Sequence, residues 1–312
     1  MNIFKTFFDS SVGYANWLWG QIILESGSLY GNYFWFLGII SAIFFTLEVF
    51  IPWRKGQSVF RKDFWLDVFY MYFNFFIFYI ILLAGLQNIG NELINKVFLH
   101  FDIKNTVAIN VQNLSPIWQF LIMFIIQDFT HWNIHRLLHK VPFLWQFHKV
   151  HHSVKEMGFA AHLRFHWIES IIYKSITFIP LLFIGFGVDD FFYLHIFTIV
   201  WGHYNHTNSN IPLGPLKFIF NSPQMHLWHH AKELPESHPH GMNFGLTLSI
   251  WDYIFKTNYI PEENGEIELG FDNVEKFPQD FLHQLSYGFG KGADEVNCDE
   301  SSPIAKGDVG TA

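Results

Sequence analysis

His135-Arg-Leu-Leu-His139, His148-Lys-Val-His151-His152 and His226-Leu-Trp-His229-His230 form a spaced pair followed by two copies of H-x-x-H-H. Together they supply eight imidazoles, more than one metal ion can use. Fourteen of the 18 histidines fall between His131 and His230, at the ends of apolar segments where a polar ring is costly to bury without a partner. The pattern predicts a multinuclear metal centre at a membrane surface. On a helix, positions i and i+3 or i+4 share a face, so His148 and His151 or His152 can approach one ion while the adjacent ring turns toward a second. Imidazole ligation suits zinc, copper and iron, and ligand type alone does not choose among them. The single cysteine, Cys298, lies in a polar tail, which excludes intrachain disulfides and thiolate ligation.

The elements that must position these rings read as membrane helices. Hydrophobic residues make up 50% of the 312, aromatics 20% and charged residues only 15%, well below the roughly 25% charge of soluble domains. Apolar runs near the ~20 residues that cross a bilayer occur at Phe34 to Ile51, Phe64 to Leu86, Ile117 into the first cluster, and Ile168 to Phe186. A shorter one spans Phe191 to Trp201. The expected fold is all-α, a multi-pass membrane helical protein with about four to five spans and a cytosolic histidine-rich di-metal cap. Arg54, Lys55, Arg61 and Lys62 make the densest basic loop between two spans and place it in the cytoplasm. Alternation from there puts residues 87 to 115 outside and brings every histidine cluster to the cytoplasmic face. No cleavable signal peptide is read at the start, so the first spans serve as targeting signal. The net charge of −8 lies mostly after residue 232, and nucleic acid is excluded as a partner.

At 100° per residue, Asp128, His131, His135 and His139 project within a narrow arc of one helix face. Asp128 is therefore expected to support the site without binding metal, accepting the free N–H of a coordinated imidazole. The chain carries further marks: Leu144-Trp145 leading into His148, Arg164-x-His166-x-x-Glu169, His206-Thr-Asn208 before Pro212-Leu-Gly214, and Ser222-Pro223 before the third cluster. Asn243-Phe-Gly245 and Leu248-Ser-Ile-Trp251-Asp252-x-x-Phe255 follow it. With these, roughly residues 40 to 260 resemble the fatty acid hydroxylase and sterol desaturase superfamily of integral-membrane di-iron oxygenases. Trp167 stands where that family has proline in R-x-H-P-x-E, and Leu227 where it commonly has arginine in the third box.

The resemblance implies that His135, His139, His148, His151, His152, His226, His229 and His230 bind two iron ions, or zinc in a purified form, with His206 as ninth ligand. It places Arg164, Glu169 and Asn208 beside Asp128 among the residues serving the catalytic site. His131, His166 and His203 stay open between ligand and supporting or substrate-pocket residue. His162 is read as a loop residue, His238 and His240 as solvent-facing, and His100, His195 and His283 as ordinary surface or core histidines. The implied activity is hydroxylation or desaturation of an unactivated C–H bond in a lipid, with dioxygen. Without a phosphate-binding glycine loop or flavin fingerprint, the electrons must come from a separate ferredoxin or cytochrome. A membrane metallohydrolase and a non-catalytic metal-binding or transport protein are the competing classes. Residues 1–33 form an N-terminal segment, 34–260 the membrane-embedded catalytic domain, 261–290 a cytosolic segment and 291–312 a disordered tail.

Overall fold

The structure, a computed structural model, describes residues 2–103, 107, 109–186, 191–261 and 267–289. Among these residues every element is helical, and strand-like pairing is confined to isolated bridges such as Pro52 with Ser209 and Phe220 with Leu248. The tail expected to be disordered lies outside the described residues.

Helix α1 (Ile3–Ile22) precedes α2 (Tyr33–Phe50), which starts where the Asn32 side chain accepts the Trp35 N–H. The buried residues of α2 are Leu37, Ser41, Phe44 and Glu48, a stripe at helical period, while Ile39, Ile43 and Phe50 face outward. A continuous helix, Phe64–His100, follows. It comprises α3 (Phe64–Tyr72), two π-helical turns at Phe73–Ile77 and Tyr79–Leu83, and α4 (Ala84–His100), which packs against α1. Each π turn adds a residue to the helical repeat and rotates the face that follows.

Next comes α5 (Pro116–Lys140), and Pro142 begins α6 (Pro142–His152) after the extended Val141. A proline forces its predecessor out of the helical region, so the chain folds back and brings the second histidine box against the first. A 3-10 turn (Phe159–Leu163) leads to α7 (Trp167–Leu182) and α8 (Phe191–His206). Short helices α9 (Pro223–His229), α10 (Ile250–Phe255) and α11 (Phe281–Ser286) complete the chain.

Among the described residues two helices are long and apolar enough to cross a bilayer, α2 and Phe64–His100. The three other expected spans fold as α5, whose inner half carries Gln127, Asp128 and His131, and as α7 and α8. These last two are 16 residues each, against the ~20 a crossing needs. The basic loop is also more structural than its charge suggests. Arg54 donates to the Met157 carbonyl (2.8 Å), and buried Arg61 pairs with Asp67. Trp53 N–H donates to the Asn208 carbonyl (3.0 Å), and Lys62 N–H donates to Glu156 (3.0 Å), so this loop lies at the histidine end of the bundle.

Asp67 is shared between two buried cations, Arg61 and Arg164, the latter 3.0 Å away. Removing one side of such a network leaves uncompensated charge at a cost of ~3–5 kcal/mol. Asp67→Ala is expected to lower thermal stability in detergent by that order, and an unchanged melting temperature would contradict the shared ion pair.

Candidate metal centre

The structure gathers nine histidines into two adjacent buried sets. His135 and His139 from α5, His148 and His152 from α6, and His229 from α9 form the first, each offering a ring nitrogen within 4.8 Å of the others. His151, His206, His226 and His230 form the second. Each H-x-x-H-H box is therefore divided. The i and i+4 rings of α6 join the first set while His151 turns to the second; around α9, His226 and His230 join the second while His229 turns to the first. The sets touch where the His152 and His230 rings stack, 4.2 Å between centroids.

The outward nitrogens reveal the state of these rings. His135 Nδ1 donates to the Phe244 carbonyl (2.8 Å), His229 Nδ1 to Met242 (2.8 Å), His151 Nδ1 to Arg164 (3.0 Å) and His206 Nδ1 to Gly202 (2.8 Å). His148 Nδ1 lies 3.0 Å from Glu169 Oε2. A carbonyl can only accept, so the proton is on Nδ1 and the inward Nε2 carries a lone pair. Yet His151 Nε2 faces His206 Nε2 at 3.4 Å. Two lone pairs cannot hydrogen-bond to each other.

In the first set, His139, His152 and His229 also have buried Nε2 atoms with no partner, each costing ~1–3 kcal/mol if left so. Burial drives His151 down to about 4, and holds His226, His229 and His230 well below the usual imidazole range. Protonation is thus disfavoured as a remedy, and neutral imidazoles are what divalent metals bind. The donor set fits two nitrogen-ligated cations.

The supporting residues fall differently from expectation. Asp128 reaches no imidazole. It accepts from Thr247 N–H (3.1 Å), Leu248 N–H (3.3 Å) and the Trp251 indole (2.9 Å), because the His135 N–H already has the Phe244 carbonyl. The carboxylate touching an imidazole is Glu169, at the first turn of α7. Arg164 is buried at 1% exposure and held by Asp67 and Ser153, so its side chain is structural while its carbonyl orients His151. Asn208 pins the loop after α2 through Arg54 (2.9 Å) and meets Glu48 (2.8 Å) rather than a histidine. His131, His166 and His203 stand outside both sets: His131 packs on Tyr173, His166 donates to the Leu285 carbonyl (2.9 Å), and His203 contacts Ser41 (3.2 Å) and His162 (3.0 Å).

Two further carboxylates hold the framework. Asp252 accepts from Phe244 N–H (2.9 Å), Gly245 N–H (2.8 Å) and the Trp132 indole (3.0 Å), fixing the loop whose carbonyls orient His135 and His229. A Cβ on Gly245 would collide with the Leu248 carbonyl oxygen, so this turn favours glycine. Glu48, missed by motif reading, accepts from Phe159 N–H (2.7 Å) and Asn208 N–H (2.8 Å). Its signal was available as a lone carboxylate inside an apolar helix, a rare and costly placement.

Residues 120–257 match the family model described as fatty acid hydroxylase, a stretch holding all nine clustered histidines. Over this stretch the chain is similar to the fatty acid hydroxylase family. It is 33% identical over 180 residues to the ornithine lipid hydroxylase OlsE of Rhizobium tropici, covering 57% of this chain and 53% of that protein. To human alkylglycerol monooxygenase it is 33% identical over 159 residues, 50% of this chain and 33% of the relative. To methylsterol monooxygenase 1 of Danio rerio it is 26% identical over 160 residues, 46% and 49% of the two chains. The chain thus spans about half or less of the length of these relatives. No solved structure gives a significant match.

Carboxylates that orient a ligating imidazole typically contribute ~10–100-fold to metal affinity. Glu169→Gln is expected to weaken metal retention against a chelator by that factor, and His148→Ala by more. Retention equal to wild type in Glu169→Gln would contradict the orienting role.

Proposed function

We propose that this protein is a membrane oxygenase in which the nine histidines hold two iron ions, and that it hydroxylates or desaturates an unactivated C–H position of a lipid. The observation that carries the reading is the pair of all-imidazole sets with inward lone pairs. Two ferrous ions held by neutral imidazoles supply dioxygen reduction and hydrogen abstraction from the substrate. The protein's part is orientation and exclusion of water. The Phe244, Met242, Arg164 and Gly202 carbonyls lock four rings in one tautomer, Glu169 holds a fifth, and all nine rings are under 9% exposed.

The relatives' names concern an ornithine lipid, alkylglycerols and methylsterols, which supports a fatty acyl, ether-lipid or sterol substrate here. Such a molecule reaches the site laterally, between helices whose outer faces carry Ile39, Ile43, Phe69 and Ile81. Electrons come from an external ferredoxin or cytochrome. We place the histidine end on the cytoplasmic face, since Lys55 and Lys62 remain exposed on the loop there. A metallohydrolase reading is disfavoured because neither set includes the carboxylate base such a site uses.

Iron-loaded protein with a chemical reductant and membrane lipid extract is expected to consume dioxygen, and a host carrying the gene to accumulate a lipid heavier by one oxygen or lighter by two hydrogens. His151→Ala and His229→Ala should abolish both while the protein still inserts in the membrane. Wild-type oxygen consumption in either variant would refute the reading.

A further inference from the structure

Away from the histidine sets, the bundle holds polar side chains where an apolar core would be expected. His131, one turn before His135, packs edge-on against Tyr173 of α7 at 5.2 Å. The neighbouring Lys174 sets its Nζ 3.7 Å from the centre of the Tyr79 ring, at the start of the second π turn. Tyr79 stacks on Tyr14 of α1 (5.1 Å), and His195 of α8 stacks on Phe75, one turn earlier on the Tyr79 helix (5.3 Å). These contacts lie between helices, yet Tyr14, Tyr79, His131, Tyr173 and Lys174 are only half-buried and His195 is exposed. Side chains ringed by protein that still keep accessible surface line a cleft rather than a packed core.

The cation is the informative member. Lys174 lies seven residues past Trp167, about 10 Å along the helix from its histidine end, and no carboxylate among the described residues forms an ion pair with it. An ammonium at such depth is unfavourable without a counter-charge, and the Tyr79 ring face offsets only part of that cost. The counter-charge must therefore enter with a ligand.

We propose that Lys174 docks an oxyanion, phosphate or carboxylate, carried by a lipid that lies in this cleft, with the Tyr79 hydroxyl and the His195 imidazole as donors around it. The proposal rests on the lipid-oxygenase reading and narrows it to acidic lipids. Lys174 is five residues beyond Glu169, about 7.5 Å along α7, and Glu169 touches His148 of the first set. The attacked carbon therefore lies close to the acidic end of the lipid, not at the far end of its tail.

The test compares ligand pairs differing only in charge, oleate with oleyl alcohol and phosphatidate with diacylglycerol, binding to the full-length protein in zwitterionic detergent without reductant. Wild type should bind each acid roughly 10–100-fold more tightly than its neutral partner, the value of a charge-assisted contact. Lys174→Met should abolish that preference and Lys174→Arg retain it. If Lys174→Met loses the wild-type unfolding transition, Lys174→Gln takes its place. A wild type indifferent to charge, or a preference surviving the loss of the ammonium, would overturn the proposal. Inorganic phosphate competing as well as phosphatidate would make this a free-phosphate site and overturn the lipid assignment. Because no turnover is involved, failure here leaves the oxygenase reading standing, and absence of dioxygen consumption leaves this binding result standing.

Discussion

Opposed lone pairs inside a closed space are the interaction on which this structure depends. Where His151 and His206 each donate from Nδ1 to a backbone carbonyl, their Nε2 atoms meet 3.4 Å apart with no proton between them. Burial blocks the alternative of protonating one ring. A cation between these rings would reconcile the arrangement, and the fold holds the rings in place to receive it. The carbonyls that fix the rings come from three separate segments, the 242–248 loop, Arg164 and Gly202 of α8, and side chains anchor the first two. Asp252 and Asp128 hold the 242–248 loop, while Asp67 and Ser153 hold Arg164.

The apolar bundle serves the same end. Residues such as Ile39 and Ile43 turn outward on α2, leaving Ser41 and Glu48 on the inward stripe. Glu48 ties that helix to the Phe159 turn and to Thr207-Asn208, just past His206. The Val141-Pro142 break folds α6 back on α5, so histidines 13 residues apart, His135 and His148, come to 3.2 Å. From the other side, Phe281 of α11 packs on Phe69, Tyr70 and Phe73, and the Leu285 carbonyl receives donors from both His166 and Trp167.

Much of the site was legible in the sequence because its spacing is local. The three boxes and His206 are the nine clustered histidines, and helical phase allows a box to be divided between two sets, as it is here. Which ring goes where was not legible, since the direction in which α6 and α9 approach α5 is a tertiary fact. The same limit misassigned Asp128: its helix face was read correctly, but its partners are 119 to 123 residues away. Glu169 takes the orienting role expected of Asp128, through α7 packing beside α6. Arg164 and Asn208 were recognised as motif residues, but their buried partners Asp67 and Glu48 lie far upstream and complete pairings that spacing does not encode. Hydropathy also misplaced helix ends: it carried α7 to Phe186 where the helix stops at Leu182, and stopped α8 at Trp201 where it continues to His206.

The central claim is that nine imidazoles hold two metal ions and nothing else. Metal analysis of the anaerobically iron-loaded protein combined with X-ray absorption at the iron edge tests it most directly. The account predicts two irons per chain, with protein ligation dominated by imidazole nitrogen, and loss of about one iron in His206→Ala. A single iron in wild type, or a first coordination sphere made mainly of carboxylate oxygen, would contradict it.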